Sequence, residues 1–285
     1  MISVIITAYN AEAFIRDAVQ SMLRQTYLDL ECVVIDDGST DRTAQAVHQL
    51  SDPRLRIVEA GRIGRGRALN LGLSKSSGSY VAIHDADDLS HPRRLEIGLA
   101  ALEGRPDYGA VGQGTLGGSL ILGANNEPVW AVICANEVSF PVCDVSRSLI
   151  YLNPLGHSTL LLRREALEAI EGYDETRQSL FDWDLLLRLV LAGYKLGRII
   201  VPPLHAHRAH AGQFFERGNR RRYVHAAYEM QRKARKQLGG SPVLELTFLG
   251  MYGYRLLPER VRHGWRQLLD QGHGRHVRAG SGLPS

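Results

Sequence analysis

The chain has 285 residues, 44% of them hydrophobic and 22% charged, with 29 Gly and 11 Pro. That balance belongs to a folded globular protein and excludes a disordered, collagen-like or coiled-coil chain. The net charge of +4 is segregated: residues 216–285 hold 14 Lys/Arg against 5 Asp/Glu, whereas the first 215 residues hold 20 against 25.

No apolar run approaches the roughly 20 residues that a spanning helix needs. The opening MISVIITAYN has neither the basic nor the apolar region of an export signal. Cys32, Cys134 and Cys143 form no CxxC pair, which fits a reducing cytosol and argues against a disulfide scaffold or a zinc site.

In chain order, Ile2 to Thr7 is a β-branched run and reads as a buried parallel strand. Apolar residues between Ala11 and Gln25 recur at helical spacing. Leu30 to Ile35 is a second strand that runs into DDGSTD, where Ser39 or Thr40 caps a helix over Arg42–Leu50. A third strand, Leu55 to Val58, a helix, Arg67–Ser74, and a fourth strand, Tyr80–His84, follow. Alternating strands and helices predict a parallel sheet covered on both faces. Residues 109–123 are rich in small side chains and fit strands or loops. Leu160–Leu162 reads as a strand, Arg164–Ile170 and Leu180–Leu191 as helices, and Ile199–His205 as a last strand interrupted by Pro202 and Pro203.

Acidic side chains collect where the second and fourth strands end: Asp36 and Asp37, then Asp85, Asp87 and Asp88 in HDADD. Ligands of open α/β sheets bind at such carboxyl ends, and gathered carboxylates repel one another unless a cation lies among them. In extended chain Asp85 and Asp87 point the same way. Two oxygen ligands completed by phosphate and water suit Mg2+ or Mn2+. The plainer reading is that Asp88, ahead of LSHPRRLE, caps a helix. His84, His91 and His157 are read as hydrogen-bonded structural residues. His205 and His207 either face a ligand or lie on an edge strand beside Pro203. Arg65 and Arg67 either hold a diphosphate or are solvated, and Trp130 and Trp183 either stack on sugar rings or fill core.

The segments SVIITAYN, LECVVIDDGSTDRT, ALNLGL and GSYVAIHDADD occur in register, and NPLGHSTLLLRREALEAIEGYDE (153–175), DWDLLLRL (182–189) and HRAH (207–210) continue the series. Together they resemble the family 2 glycosyltransferases over residues 1–212. The resemblance implies the GT-A fold, an α/β, Rossmann-like and mostly parallel sheet with helices on both faces. It implies a transferase domain over 1–215, with a nucleotide-sugar half at 1–90 and an acceptor and base half at 91–215, followed by a basic helical extension at 216–285. By residue, it implies that Thr7, Ala8 and Tyr9 hold the nucleoside. Asp37 would accept the uracil N–H, with Asp36 supporting the turn. Asp85 and Asp87 form the DxD motif that holds Mn2+ or Mg2+, and His210 approaches the diphosphate or metal from the other side. Asp182 is the implied catalytic base. The family commonly has Glu-Asp there, whereas this chain has Phe181–Asp182. Asp184 is a rival, but positions two apart on a helix face different sides.

The implied reaction is metal-dependent and inverting. It moves a sugar from a nucleotide-sugar, first of all a UDP-sugar, to a glycan or lipid-linked hydroxyl acceptor in surface-polysaccharide or lipid-linked glycan assembly in the cytoplasm. A sugar-phosphate nucleotidyltransferase shares the layout, but opens with a Gly-rich phosphate loop where this chain has TAYN. An inactive nucleotide-sugar-binding module is the non-enzyme alternative, against which Asp37, Asp85, Asp87 and Asp182 count. Residues 219–238 read as a basic helix and 243–257 as an apolar stretch with PERVRHGWRQLL after it. This end either packs on the catalytic domain or lies on an anionic membrane surface as a peripheral anchor, through Leu244, Phe248, Leu249, Tyr252 and Trp265. It has charge but no nucleic-acid-binding motif.

Overall fold

A computed structural model describes residues 1–114, 120–123, 128–134, 136–210 and 220–256. The chain divides into two compact units, Met1–Arg217 and Gly218–Ser285. In the first unit, β1 (Ile2–Ala8), β2 (Leu30–Asp36), β3 (Leu55–Glu59) and β4 (Tyr80–Asp85) run parallel in the order β3-β2-β1-β4. Side chains alternate between the two faces of β2. Cys32 and Val34 join Ile15, Val19 and Met22 of α1 (Ile15–Leu23) on one side, and Val33 and Ile35 join Ala68 of α3 (Arg65–Ser74) on the other. A strand covered on both faces needs the near-continuous Val/Ile run that its sequence carries.

At the start of helix α2 (Thr43–His48) Asp41 Oδ1 accepts the Thr43 amide at 2.9 Å, contrary to the expectation for Ser39 and Thr40. Both hydroxyls are engaged elsewhere, Ser39 with Asp36 and Thr40 with Asn10. Helix α3 begins two residues earlier than expected, which brings Arg65 into its first turn. Gly38 has a φ of +75°, and a Cβ there would lie 2.6 Å from the Arg62 nitrogen. Gly38→Ala is therefore expected to destabilise the fold by about 1–3 kcal/mol, read from denaturant melting.

Beyond β4 lie β5 (Leu89–Ser90), α4 (Arg94–Glu103), β6 (Tyr108–Gly112), β7 (Leu120–Gly123), β8 (Val142–Asp144), β9 (Leu161–Arg163), α5 (Arg164–Ala169), α6 (Phe181–Leu191), β10 (Lys195–Ile199) and β11 (His205–Ala209). β9 inserts antiparallel between β4 and β6, and β10 pairs parallel with β6 and antiparallel with β8. The eight-stranded sheet is thus parallel in its first half and mixed in its second. A separate three-stranded sheet has the order β5-β11-β7. The expected strand over Ile199–His205 is two strands in different sheets. Pro202 and Pro203 fall between them, because proline cannot supply a ladder N–H. β11 is the central strand of its sheet, not an edge.

In the second unit, α7 (Arg220–Leu238) and α8 (Pro242–Leu256) pack on each other. Tyr228 stacks on Tyr252 at 4.5 Å, and Arg235 lies over the Phe248 ring at 4.6 Å. Among the described residues no helix is long and apolar enough to cross a membrane.

Candidate active site

Strand register brings the functional residues level. Thr7 is opposite Ile35 and Asp85, and Ala8 is opposite Asp36. Ala8 is buried and Tyr9 exposed, with the Arg62 guanidinium 3.6 Å above the Tyr9 ring. Asp37 Oδ1 accepts the amides of Ile63 at 2.7 Å and Gly64 at 2.8 Å, while its Oδ2 pairs with Arg62. Asp37 therefore braces the glycine-containing loop ahead of α3 and keeps one acceptor position on Oδ2. Asp36 turns to Ser39, accepting its amide at 3.3 Å and its hydroxyl, and so closes the turn.

Asp85 and Asp87 have different partners. The strand ends at Asp85 and the chain turns at Ala86–Asp87, with the Asp88 amide donating to the Asp85 carbonyl at 3.4 Å. The alternation of an extended strand lapses in a turn. Asp85 faces Arg65, which also contacts His157 Nδ1 at 3.3 Å. His157 Nε2 and the Tyr173 hydroxyl share a hydrogen bond of 2.9 Å. Asp85 first, and then Asp182 and Asp87, hold the Arg65 guanidinium firmly charged. Burial and then Arg65 push the His157 imidazole down. Burial pushes the Tyr173 hydroxyl up. Arg65 is thus partly exposed and ion-paired with Asp85. Its buried Nε has no hydrogen-bond partner among the described residues, a donor suited to an anion. Arg67 is exposed and lies 3.5 Å from Glu175.

On the other side of the turn, His210 Nε2 donates to Asp87 Oδ2 at 2.9 Å, and the His210 ring lies 4.4 Å from that of Phe14. The Asp87 carboxyl is raised by burial and by the carboxylates of Asp88 and Asp85. Asp88 caps no helix. It is buried between His205 and His207 of β11. Burial alone would raise its carboxyl, but these two histidines hold it far below the usual range. Asp88 in turn raises the His207 imidazole. Because folding raises this imidazole, its stabilisation is complete below about 6.5 and is lost as pH climbs through the raised value. The Asp88 share is present above about 3.9 and is lost as pH falls through the lowered value. The gap in melting temperature between wild type and His207→Gln is therefore expected to narrow as pH rises from about 6 to 9.

Asp182 and Asp184 separate cleanly. Asp184 is buried between Arg177 at 3.0 Å and Arg188 at 2.8 Å, so it is a structural ion-pair centre. Asp182 is only partly buried, and its Oδ2 accepts from Asn153 Nδ2 at 2.6 Å. Trp183 is core, with its indole N–H donating to the Leu149 carbonyl at 3.1 Å. Tyr9, Arg62 and Asp37 thus cluster beside the first two strand ends. Asp85, Arg65 and His157 come together, as do Asp87 and His210. Asn153 and Tyr173 lie within the quoted 153–175 motif but were not singled out, since neither shows a charge or a spacing signal.

Among the described residues no group of three His, Cys, Asp or Glu is placed to hold a metal by itself. The donor set is nonetheless the right kind. A carboxylate raised by burial and by its acidic neighbours, beside an imidazole, fits a hard divalent cation that takes its remaining ligands from diphosphate and water.

Residues 3–120 match glycosyl transferase family 2. The putative glycosyltransferase EpsE of Bacillus subtilis is 32% identical over 207 residues, covering 68% of each chain. The chain belongs to glycosyl transferase family 2. An uncharacterized glycosyltransferase of Haemophilus influenzae is 31% identical over 176 residues, 57% of this chain, and the match spans 51% of that relative's length. Among solved structures, S. aureus TarS with UDP-GlcNAc superposes with a TM-score of 0.62 at 21% identity, over 89% of this chain and 72% of that one. The mannosyltransferase PcManGT of Pyrobaculum calidifontis, in complex with GDP-Man and Mn2+, does so with a TM-score of 0.60 at 23% identity, over 99% and 76%. These likenesses establish the GT-A fold for this family 2 chain, and the expected α/β class holds.

Proposed function

We propose that this chain transfers a sugar, with inversion, from a UDP-sugar to a hydroxyl of a growing glycan or lipid-linked acceptor, assisted by Mn2+ or Mg2+. The observation that carries this reading is the ion pair of Arg65 with Asp85 at the carboxyl end of β4, beside His157 Nδ1 at 3.3 Å, with the charges of Asp182 and Asp87 also favouring the Arg65 cation. Ligands of the TarS and PcManGT complexes, a UDP-sugar in one and a GDP-sugar with Mn2+ in the other, support the donor class.

In this reading Thr7, Ala8 and Tyr9 receive the nucleoside, and the remaining acceptor position on Asp37 takes the base N–H. Asp85 and Asp87 hold the cation, with His210 beside Asp87, and Arg65 offers its unpartnered Nε to the diphosphate. When bound, the cation neutralises charge on the leaving diphosphate as a Lewis acid. Asp182, oriented by Asn153, takes the proton of the attacking hydroxyl as it forms the new bond. Attack opposite the leaving group inverts the anomeric centre and needs no enzyme nucleophile. Incubation with a panel of nucleotide sugars and Mn2+ is the test: release of UDP with inverted product is expected. Release of pyrophosphate in a parallel incubation with a nucleoside triphosphate and a sugar 1-phosphate would instead favour a nucleotidyltransferase, and no turnover of any donor a binding module.

The second unit favours a peripheral role at the cytoplasmic face of a membrane. Val243, Leu246 and Leu249 are exposed at 70%, 71% and 50%, three residues apart on α8, and Arg221, Arg222 and Lys236 of α7 are exposed as well. Phe248, expected in the interface, is buried, and Tyr252 is stacked on α7. Trp265 and the side chain of Leu244 lie outside the described residues. The full chain is expected to co-sediment with anionic liposomes and to release as salt rises. Leu246→Glu with Leu249→Glu should weaken that binding. Chain that ignores anionic liposomes at low salt rules the role out.

A further inference from the structure

Asp88 is fully buried, and both of its carboxylate oxygens are occupied by one strand. Oδ2 accepts from His205 Nε2 at 2.9 Å, and Oδ1 accepts from His207 Nδ1 at 3.0 Å and from the Arg208 amide at 3.3 Å. The backbone of β11 pairs with β5 at His205 with Ser90 and Ala206 with Leu89, next to a hydrogen bond from the His91 amide to the Leu204 carbonyl at 2.9 Å, and with β7 from Ala206 to Ala209. A slip of one residue would turn every side chain to the opposite face. The Asp88 contacts add a side-chain lock on that register at positions 205, 207 and 208. The Arg208 guanidinium adds an anchor to Asp17 at 3.0 Å. The next side chain beyond the strand is His210, and it meets Asp87, the residue adjacent to Asp88, at 2.9 Å.

We propose that Asp88 is a positioning residue, a buried clamp that sets the His210–Asp87 pair and so prepares the cation site without touching cation or donor. This rests on the metal-assisted reading given above. Groups that orient the ligands of a metal are worth about 10–100-fold in its affinity.

The test uses the full chain and Mn2+ titrated in the presence of saturating UDP, with free Mn2+ followed by its spin-resonance signal. A second readout is the imidazole NMR signal of His210 in metal-free protein. Asp88→Asn keeps the shape but replaces one acceptor oxygen by an amide that repels a histidine N–H. It is expected to weaken Mn2+ binding by about 10–100-fold and to shift the His210 signal, with metal-free UDP binding unchanged. His207→Gln releases one arm of the clamp at a half-exposed position. It should show a smaller loss of the same sign, and it decides the matter if Asp88→Asn does not fold. A Mn2+ titration and His210 signal indistinguishable from wild type would overturn the clamp, as would an equal loss of Mn2+ and metal-free UDP binding. If wild type itself binds no Mn2+, the metal-assisted reading fails and takes the clamp with it. Wild-type binding with an unaltered variant removes the clamp alone.

Discussion

Asp87→Ala is expected to lower turnover by about 10³-fold or more, the scale of losing Lewis-acid assistance to a leaving group. The Asp87 carboxyl is raised by burial and by its Asp88 and Asp85 neighbours. Such a group gains from a cation. Removing it also relieves that repulsion, so the fold should survive and melt no lower than wild type. Metal-dependent UDP binding should be lost with activity. Measured kcat together with a melting curve checks both halves; wild-type turnover in Asp87→Ala would end the DxD assignment.

Asp182→Asn is expected to lower kcat by about 10²–10⁴-fold, the usual worth of a general base, with donor affinity nearly unchanged. The amide keeps the shape and still offers an oxygen to Asn153, but it cannot take the acceptor proton. Asp184→Asn should behave in the opposite manner. It breaks a buried pairing with Arg177 and Arg188 and should cost about 2–4 kcal/mol of stability, while the folded fraction keeps near-normal kcat. Reversal of these two phenotypes would move the base by two residues.

The contrast between these aspartates was legible in advance because α6 is a regular helix, in which residues two apart cannot share a face. The same reasoning failed at Asp85 and Asp87. Their spacing predicts a common direction only in extended chain, and the turn at Ala86–Asp87 sends one to Arg65 and the other to His210. Strands β1, β2 and β4 are readable from their apolar runs, since both faces are buried and the signal is nearly continuous. The mixed half is not. β8 and β9 are three residues each, too short for a period to show. β5 has two residues and is defined by its pairing with β11. Asp88 lies more than a hundred residues from His205 and His207 in sequence, so no local pattern announces their union. Arg65 was weighed as a phosphate ligand or a solvated residue. Its pairing with Asp85 depends on where α3 begins, which is the least predictable part of a helix.

The central claim is a donor site in which the paired carboxylates of Asp85 and Asp87 join protein to nucleotide through a divalent cation. Isothermal titration of UDP into the full chain, once with Mn2+ and once with excess EDTA, tests it most directly. Saturable binding that is markedly tighter with Mn2+ than with EDTA, and whose Mn2+-dependent gain Asp87→Ala abolishes, is the expected result. UDP affinity identical in Mn2+ and in EDTA, or unaltered by Asp87→Ala, would contradict it.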